Sequence, residues 1–280
     1  MLAVVIVSWN VRELLRSCLQ SLQNELAPFD HRVIVVDSAS SDGTVSALQP
    51  GFPDVSFMPL SDNVGYVRAN NLAMRTLGFE TGVRPNMVPP EFVWLLNADT
   101  VVKPGCVAQL LDFMRVTDRC GLSTPRLDNP DGTLQHGSFK FPGLVQLFID
   151  TTPRLARLRN TRLDGRYSEA SYARGRPFQI GHPLGAGMLA RGAAISQVGL
   201  LDEQFEMYCE EVDWAMRMSN KGWQRWCVPA ARLMHVGGAS SAQASGRTKA
   251  LLWASRRKYY AKHYGWLKRT IAQTLAGAAS

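Results

Sequence analysis

Ala3-Val4-Val5-Ile6-Val7-Ser8-Trp9-Asn10 decides the fold: five apolar, mostly β-branched residues that stop abruptly at polar ones. An apolar run without alternation is expected of a strand buried on both faces of a parallel sheet. Asn10 followed three residues later by Glu13 predicts a capping box. Leu14, Leu15, Cys18, Leu19 and Leu22 then recur at helical spacing. The pattern repeats outward. Val33-Ile34-Val35-Val36 ends on Asp37, and a turn-rich Ser38-Ala39-Ser40-Ser41-Asp42-Gly43 leads to a short helix. Val55 to Met58 predicts a third strand, Tyr66 to Leu77 a helix, Gly82 to Pro90 a surface loop, and Phe92 to Leu96 a fourth strand before Asn97-Ala98-Asp99. Strand and helix in alternation with short connections predict right-handed βαβ units, hence an α/β sheet covered by helices. Such sheets bind ligands at the carboxyl ends of their strands. Ser8-Trp9-Asn10, Asp37 and Asn97-Ala98-Asp99 all fall there.

Beyond the turn Asp128-Asn129-Pro130-Asp131-Gly132 regularity fades. Asp150 to Pro177 is a basic insertion with seven arginines, readable as a lid or partner surface or as a solvated loop. Gly185-Ala186-Gly187-Met188-Leu189-Ala190 predicts a strand whose glycines permit close backbone approach. A helix over about Glu211 to Lys221 carries acids in its first turn and bases in its last, matching the helix dipole.

Composition narrows the classes. With 46% hydrophobic and 19% charged residues in 280, a sizeable core is expected and global disorder is excluded. Five scattered cysteines without a C-x-x-C pair exclude a disulfide scaffold and a zinc ribbon and fit a reducing compartment. No apolar run approaches the roughly 20 residues of a membrane helix, and the start lacks the basic region of a signal peptide. The expectation is a cytoplasmic protein. The net charge of +8 resides in Ala242 to Ser280, which holds eight Lys and Arg and no acid. The remainder is neutral, which argues against a nucleic-acid partner.

Motifs for nicotinamide, P-loop and α/β-hydrolase chemistry are absent from the sequence. What remains is carboxylates and one histidine. Asp99 after a buried strand suits a divalent cation, which prefers hard oxygen ligands. His235, before Gly237-Gly238, closes the same site from far along the chain. Glu210, Glu211 and Asp213 crowd a helix start, where like charges raise at least one pKa and create a general base. Simple helix-dipole charge is the competing reading, above all for Asp213.

An ordered set of motifs then carries a resemblance: Val7-Ser8-Trp9-Asn10, Val36 to Thr44, Asn63-Val64-Gly65-Tyr66-Val67-Arg68-Ala69-Asn70-Asn71, Leu95 to Asp99, Gly185 to Leu189, Gly199 to Trp214 and His235 to Ser240. Together they resemble family 2 glycosyltransferases of the GT-A fold, nearest the bacterial rhamnosyltransferase-like members. The resemblance covers about 1–240. It implies a catalytic domain there, with a nucleotide-binding half over about 1–125, an acceptor half over about 126–240, and a basic amphipathic segment at 241–280. The implied fold is a mainly parallel sheet flanked by helices. The implied reaction is transfer of a sugar from a nucleoside diphosphate with inversion, in bacterial surface polysaccharide synthesis. Deoxythymidine-diphosphate rhamnose is the best donor guess; a uridine-diphosphate hexose or a catalytically silent sugar-nucleotide-binding protein are the alternatives.

By position, the resemblance makes Asp37 the partner of the base, with Ser8, Trp9, Asn10, Asn63 and Arg68 around the nucleotide. Asn97-Ala98-Asp99 occupies the family's D-x-D place with its first Asp replaced, leaving Asp99 to hold Mg²⁺ or Mn²⁺ with His235. The family's E-D pair falls on Glu210-Glu211, giving Glu211 as the base, with Asp213 nearby. The acceptor is expected to be a glycan or polyprenol-linked sugar, and a homodimer is open. The tail mixes Trp253, Tyr259, Tyr260 and Trp266 with its bases, so it either packs on the body or lies on anionic lipid at the inner face of the cell membrane.

Overall fold

The structure, a computed structural model, describes residues 1–79, 88–159, 161–237 and 245–277. Most of the loop predicted over Gly82 to Pro90, the motif residues Gly238-Ala239-Ser240 and the domain boundary at 240 lie outside them.

The opening run forms β1 (Leu2–Ser8), followed by α1 (Arg12–Leu26) and β2 (His31–Asp37). Next come α2 (Thr44–Leu48), β3 (Val55–Pro59), α3 (Gly65–Thr76) and β4 (Phe92–Asn97). β1 pairs in parallel with β2 and with β4, and β2 with β3. Leu2, Val4 and Ile6 pack on one face against Leu15, Cys18, Leu19 and Leu22 of α1. Ala3 and Val5 pack on the other with Val67, Ala73 and Met74 of α3. Burial on both faces explains the missing alternation.

The second half is mixed. β5 (Thr100–Val102), α4 (Cys106–Val116) and β6 (Cys120–Asp128) are followed by the short β7 (Leu134–Gln135) and β8 (Ser138–Phe139). The basic insertion contains α5 (Leu144–Thr151), a 3₁₀ segment (Pro153–Leu158) and α6 (Glu169–Ala173). Then come β9 (Phe178–Gln179), β10 (His182–Pro183), β11 (Gly187–Arg191), α7 (Gly192–Val198), α8 (Glu210–Asn220) and β12 (Gln224–His235). The main sheet runs β3-β2-β1-β4-β11-β6-β12-β5. β11 lies antiparallel to both β4 and β6, and β12 is parallel to β6. Gly187 permits a close approach: a Cβ there would stand 2.7 Å from Leu233 Cδ2.

The predicted Asn10 cap is corrected. Val11 is the N-cap of α1, and Asn10 is left-handed at φ 52°. Its Oδ1 accepts from Ser41 N at 2.7 Å, while Arg12 N donates across to Asp42 Oδ2. The carboxamide bridges two strand-end loops instead of serving its own helix. Asn tolerates that backbone better than most residues.

The tail resolves into α9 (Ser245–His263) and α10 (Trp266–Gly277). Trp253, Tyr259 and Tyr260 are buried with Leu147, Phe205, Cys209 and Val212. Truncating such an aromatic costs on the order of 3–5 kcal/mol. Arg256 pairs with Asp150 at 2.7 Å, Lys258 donates to Gln204 O, and Lys262 reaches Asp202 and Asp213. α9 thus turns much of its charge inward onto the body. α10 differs, with Trp266, Leu267 and Ile271 exposed. Among the described residues no helix is long and apolar enough to cross a membrane.

Candidate active site

The carboxyl ends of β1, β2 and β4 lie side by side, with Ser8 in register with Asp37 and Val7 with Asn97. Ser8 and Asp37 are buried. Asp37 Oδ1 accepts from Ser40 N at 2.9 Å, which closes an Asx-type turn. Its Oδ2 and the Ser8 hydroxyl are buried without a protein hydrogen-bond partner. Buried polar atoms are normally satisfied, so this pair leaves bonding capacity that ligand atoms could fill. Trp9 is half-buried beside them. Asn63 Oδ1 accepts from Ser38 Oγ and Gly65 N, fixing the start of α3. Arg68 is largely exposed and faces Glu203 at 3.6 Å.

Asp99 lies just beyond β4 and His235 ends β12. Pairing of β12 with β5 brings them together: Asp99 Oδ1 is 3.3 Å from His235 Nε2. Burial pushes the Asp99 carboxyl up, but His235, with the amides of Asp99 and Gly237, holds it below its ordinary value. Gln135, which the sequence did not single out, sets the imidazole. Its Nε2 donates to Asn129 Oδ1 and His235 O, so its Oε1 is the atom 2.7 Å from His235 Nδ1. By that assignment Nδ1 donates to Gln135, and Nε2 is the ring nitrogen turned toward Asp99. A carboxylate oxygen and an imidazole nitrogen converging at this distance fit the ligand types of a shared divalent cation. Among the described residues no third His, Cys, Asp or Glu joins them. Asn97 is anchored through its backbone, its N–H donating to Ala186 O.

The second group of acids opens α8. Tyr208 and Cys209 both have positive φ, 68° and 65°, uncommon for residues with a side chain. Two such residues in succession mark strain that tertiary structure must hold, as at many functional sites. The turn delivers Glu210 and Glu211 side by side. Burial and their mutual repulsion raise Glu210 well above the carboxylate range. Burial raises Glu211 to about 7. One carboxylate oxygen of each has no protein partner. Tyr66 of α3 sits close by, its hydroxyl donating to Gly185 O. Burial and the charges of Glu210 and Glu211 push that phenol up.

Asp213, two residues on, has the opposite surroundings. Fully buried, it lies 2.7 Å from Arg217 Nε, 2.7 Å from Lys262 Nζ and 2.6 Å from His263 Nε2. Burial raises its carboxyl, but His263, Lys262 and Arg217 outweigh this and lower it to about 2. Two of those partners come from α9, so the tail locks the helix that carries Glu211. Asn71 clamps the approach to α8 from the other side, bonding both N–H and C=O of Leu201.

Glu211 lines a cavity of about 380 Å³ between α5, α8 and α9. The basic insertion supplies part of its wall through Asp150, Arg159, Asp164 and Arg166. His182 also lines it, stacked on Phe139 and lowered to about 4 by burial. A carboxyl group raised to about 7 next to a cavity, and a carboxylate–imidazole pair at the strand-end edge, suit displacement of a phosphate leaving group by an incoming hydroxyl.

Known proteins bear on this arrangement. A rhamnosyltransferase of Mycobacterium tuberculosis, named N-acetylglucosaminyl-diphospho-decaprenol L-rhamnosyltransferase, is 30% identical over 259 residues, covering 88% of this chain and 80% of the relative. A mannosyltransferase from Pyrobaculum calidifontis, solved with GDP-Man and Mn²⁺, superposes at a TM-score of 0.62 with 16% identity, over 99% of this chain and 73% of its own. GalNAc-T7, solved with UDP, GalNAc and Mn²⁺, gives 0.58 at 14% identity over 100% of this chain, which spans 55% of that longer protein. The two solved structures share the fold, the GT-A arrangement expected from the motifs. The family model described as Glycosyl transferase family 2 matches residues 3–174. Strand ends, carboxylates and matched sequence thus converge, and this chain belongs to glycosyl transferase family 2.

Proposed function

We propose that this enzyme transfers rhamnose, with inversion, from deoxythymidine-diphosphate rhamnose to a lipid-diphosphate-linked N-acetylglucosamine in bacterial surface polysaccharide synthesis. The observation that carries the mechanism is the contrast on α8: Glu211 is raised to about 7, whereas Asp213 is neutralised by three partners. A carboxylate near neutral pKa accepts a proton in the working range and releases it afterwards. Glu211 is therefore the base for the acceptor hydroxyl, and Asp213 positions its helix. The hydroxyl attacks the anomeric carbon opposite the diphosphate, in one displacement without a covalent intermediate.

On the donor side, Asp37 and Ser8 take the base and ribose edge, with Trp9, Asn10, Asn63, Asn97 and Arg68 around the nucleotide. Asp99 and His235 hold the divalent cation, Mg²⁺ or Mn²⁺; when bound it neutralises charge developing on the leaving diphosphate. The mycobacterial relative's name supports the donor and acceptor classes, and the Mn²⁺ in the two solved structures supports the metal. The enzyme works at the inner face of the membrane, where exposed Trp266, Leu267 and Ile271 of α10 meet the lipid surface.

Calorimetry with nucleoside diphosphates, followed by transfer assays with the matching sugar nucleotides, tests this reading. Tightest binding of the thymidine nucleotide with rhamnose transfer is expected. Uridine preference with hexose transfer would replace the donor assignment. Binding without turnover of any donor would identify a silent binder.

A further inference from the structure

We propose that the cavity beside Glu211 contains a subsite for the acceptor's own diphosphate, with Lys140, Arg159 and Arg166 as its cationic wall. This rests on the reading above, in which the acceptor sugar is linked through a diphosphate to lipid. A neutral sugar needs hydroxyl and amide partners and an aromatic platform; it does not need several cations near the base. Yet Lys140, Arg159, Arg166 and Arg256 all line this cavity with Glu211. Arg256 is matched by Asp150 at 2.7 Å, so that pair is internally neutral. Lys140, Arg159 and Arg166 then outnumber the remaining acids, Asp164 and Glu211, and concave walls concentrate such a field. Guanidinium forks match phosphate oxygens two at a time.

The wall is held in place. Phe139 and Arg166 form an antiparallel bridge, Lys140 N donates to Gly165 O at 2.8 Å, and the Arg166 guanidinium lies 5.6 Å over the Phe139 ring. Arg159 Nη2 donates to Asp150 O at 2.8 Å. These contacts hold the backbone of Lys140 and Arg166 and the guanidinium groups of Arg159 and Arg166. Helix α5 continues the path outward. Gln146, Leu147 and Asp150 face the cavity, while Val145 and Phe148 are exposed on the other side. A sugar at Glu211, a diphosphate on the cationic wall and an apolar chain leaving across α5 fall in the order in which a lipid-diphosphate sugar is built.

The test compares two acceptors with the full-length enzyme, its metal and its donor. One is N-acetylglucosamine linked through a diphosphate to a short prenyl chain; the other is the octyl glycoside of the same sugar, without phosphate. Wild type should favour the diphosphate acceptor at least 100-fold in kcat/KM. Arg159→Gln and Arg166→Gln should each cut that preference about tenfold through KM, and Lys140→Glu, a change at an exposed side chain, should cut it further. Melting temperature establishes that each variant is folded, and the nucleoside-diphosphate Kd should match wild type. Equal use of the two acceptors by wild type would overturn the subsite while leaving the transferase reading intact. So would variants that slow both acceptors in proportion, or variants that weaken nucleoside-diphosphate binding, which would give these cations to the donor. Transfer to neither acceptor would overturn the broader reading and this one with it.

Discussion

The strand-end edge and the start of α8 both gather acidic groups and treat them oppositely. At the edge, Asp99 meets His235 and is held below its ordinary value. At α8, Glu210 and Glu211 are packed together, make no ion pair among the described residues, and are raised by burial. The edge therefore keeps a permanent negative charge, as a cation site needs; the helix start keeps a carboxyl group that changes protonation near pH 7, as proton transfer needs. Asp213 sharpens the contrast, because only two residues from Glu211 it is given Arg217, Lys262 and His263 and is lowered to about 2. Environment, not residue type, assigns the roles.

The largest expected effect comes from breaking the edge. Asp99→Ala should lower kcat/KM by about 10³-fold or more and weaken nucleotide binding in Mg²⁺ or Mn²⁺, and a chelator should do the same to wild type. Gln135→Leu leaves Asp99 and His235 in place but frees the imidazole; a loss of about 10- to 100-fold in metal affinity is expected, measured by titrating the metal against rate. Full activity of Asp99→Ala would remove the edge from the mechanism.

The smaller effect concerns stability at the helix. Asp213, lowered from 3.8 to about 2, contributes stability that is present above pH 3.8 and lost as pH falls through about 2. Asp213→Asn should cost about 2 kcal/mol in urea unfolding at pH 7, and the deficit should shrink toward pH 2. Glu210, being raised, has the reverse sign: its contribution is present below its unfolded value and is lost as pH rises. Glu210→Gln should therefore gain on wild type as pH increases. Parallel pH dependence in the two variants would contradict the contrast.

The two regions also differ in how far they could be read from sequence. Asp37, Asn97 and Asp99 follow apolar runs by one to three residues, so strand periodicity alone places them on one edge. His235 stood out only by its place after an apolar run and before a glycine pair, because β12 reaches the edge by pairing with β5 and β6. Gln135 gave no signal; its role depends on a hairpin that carries it to His235. The cavity was least legible, being assembled from residues 139–166, His182, 208–212 and 252–260, far apart in the chain. The basic insertion was visible as composition, not as a wall. Positive φ at Tyr208 and Cys209 is invisible because neither residue type favours it. Asn10 misled for the opposite reason: a good cap residue was used to bridge loops.

The most direct test of the central claim, that Glu211 is the base, is the pH profile of kcat at saturating donor and acceptor. Below its raised value of about 7 Glu211 is protonated and cannot accept the hydroxyl proton. The logarithm of kcat should therefore rise with unit slope and level off above about pH 7, and Glu211→Gln should be slower by at least about 10²-fold with the rise abolished. A flat wild-type profile from about pH 5.5 to about 8.5, or the same rise persisting in Glu211→Gln, would contradict it.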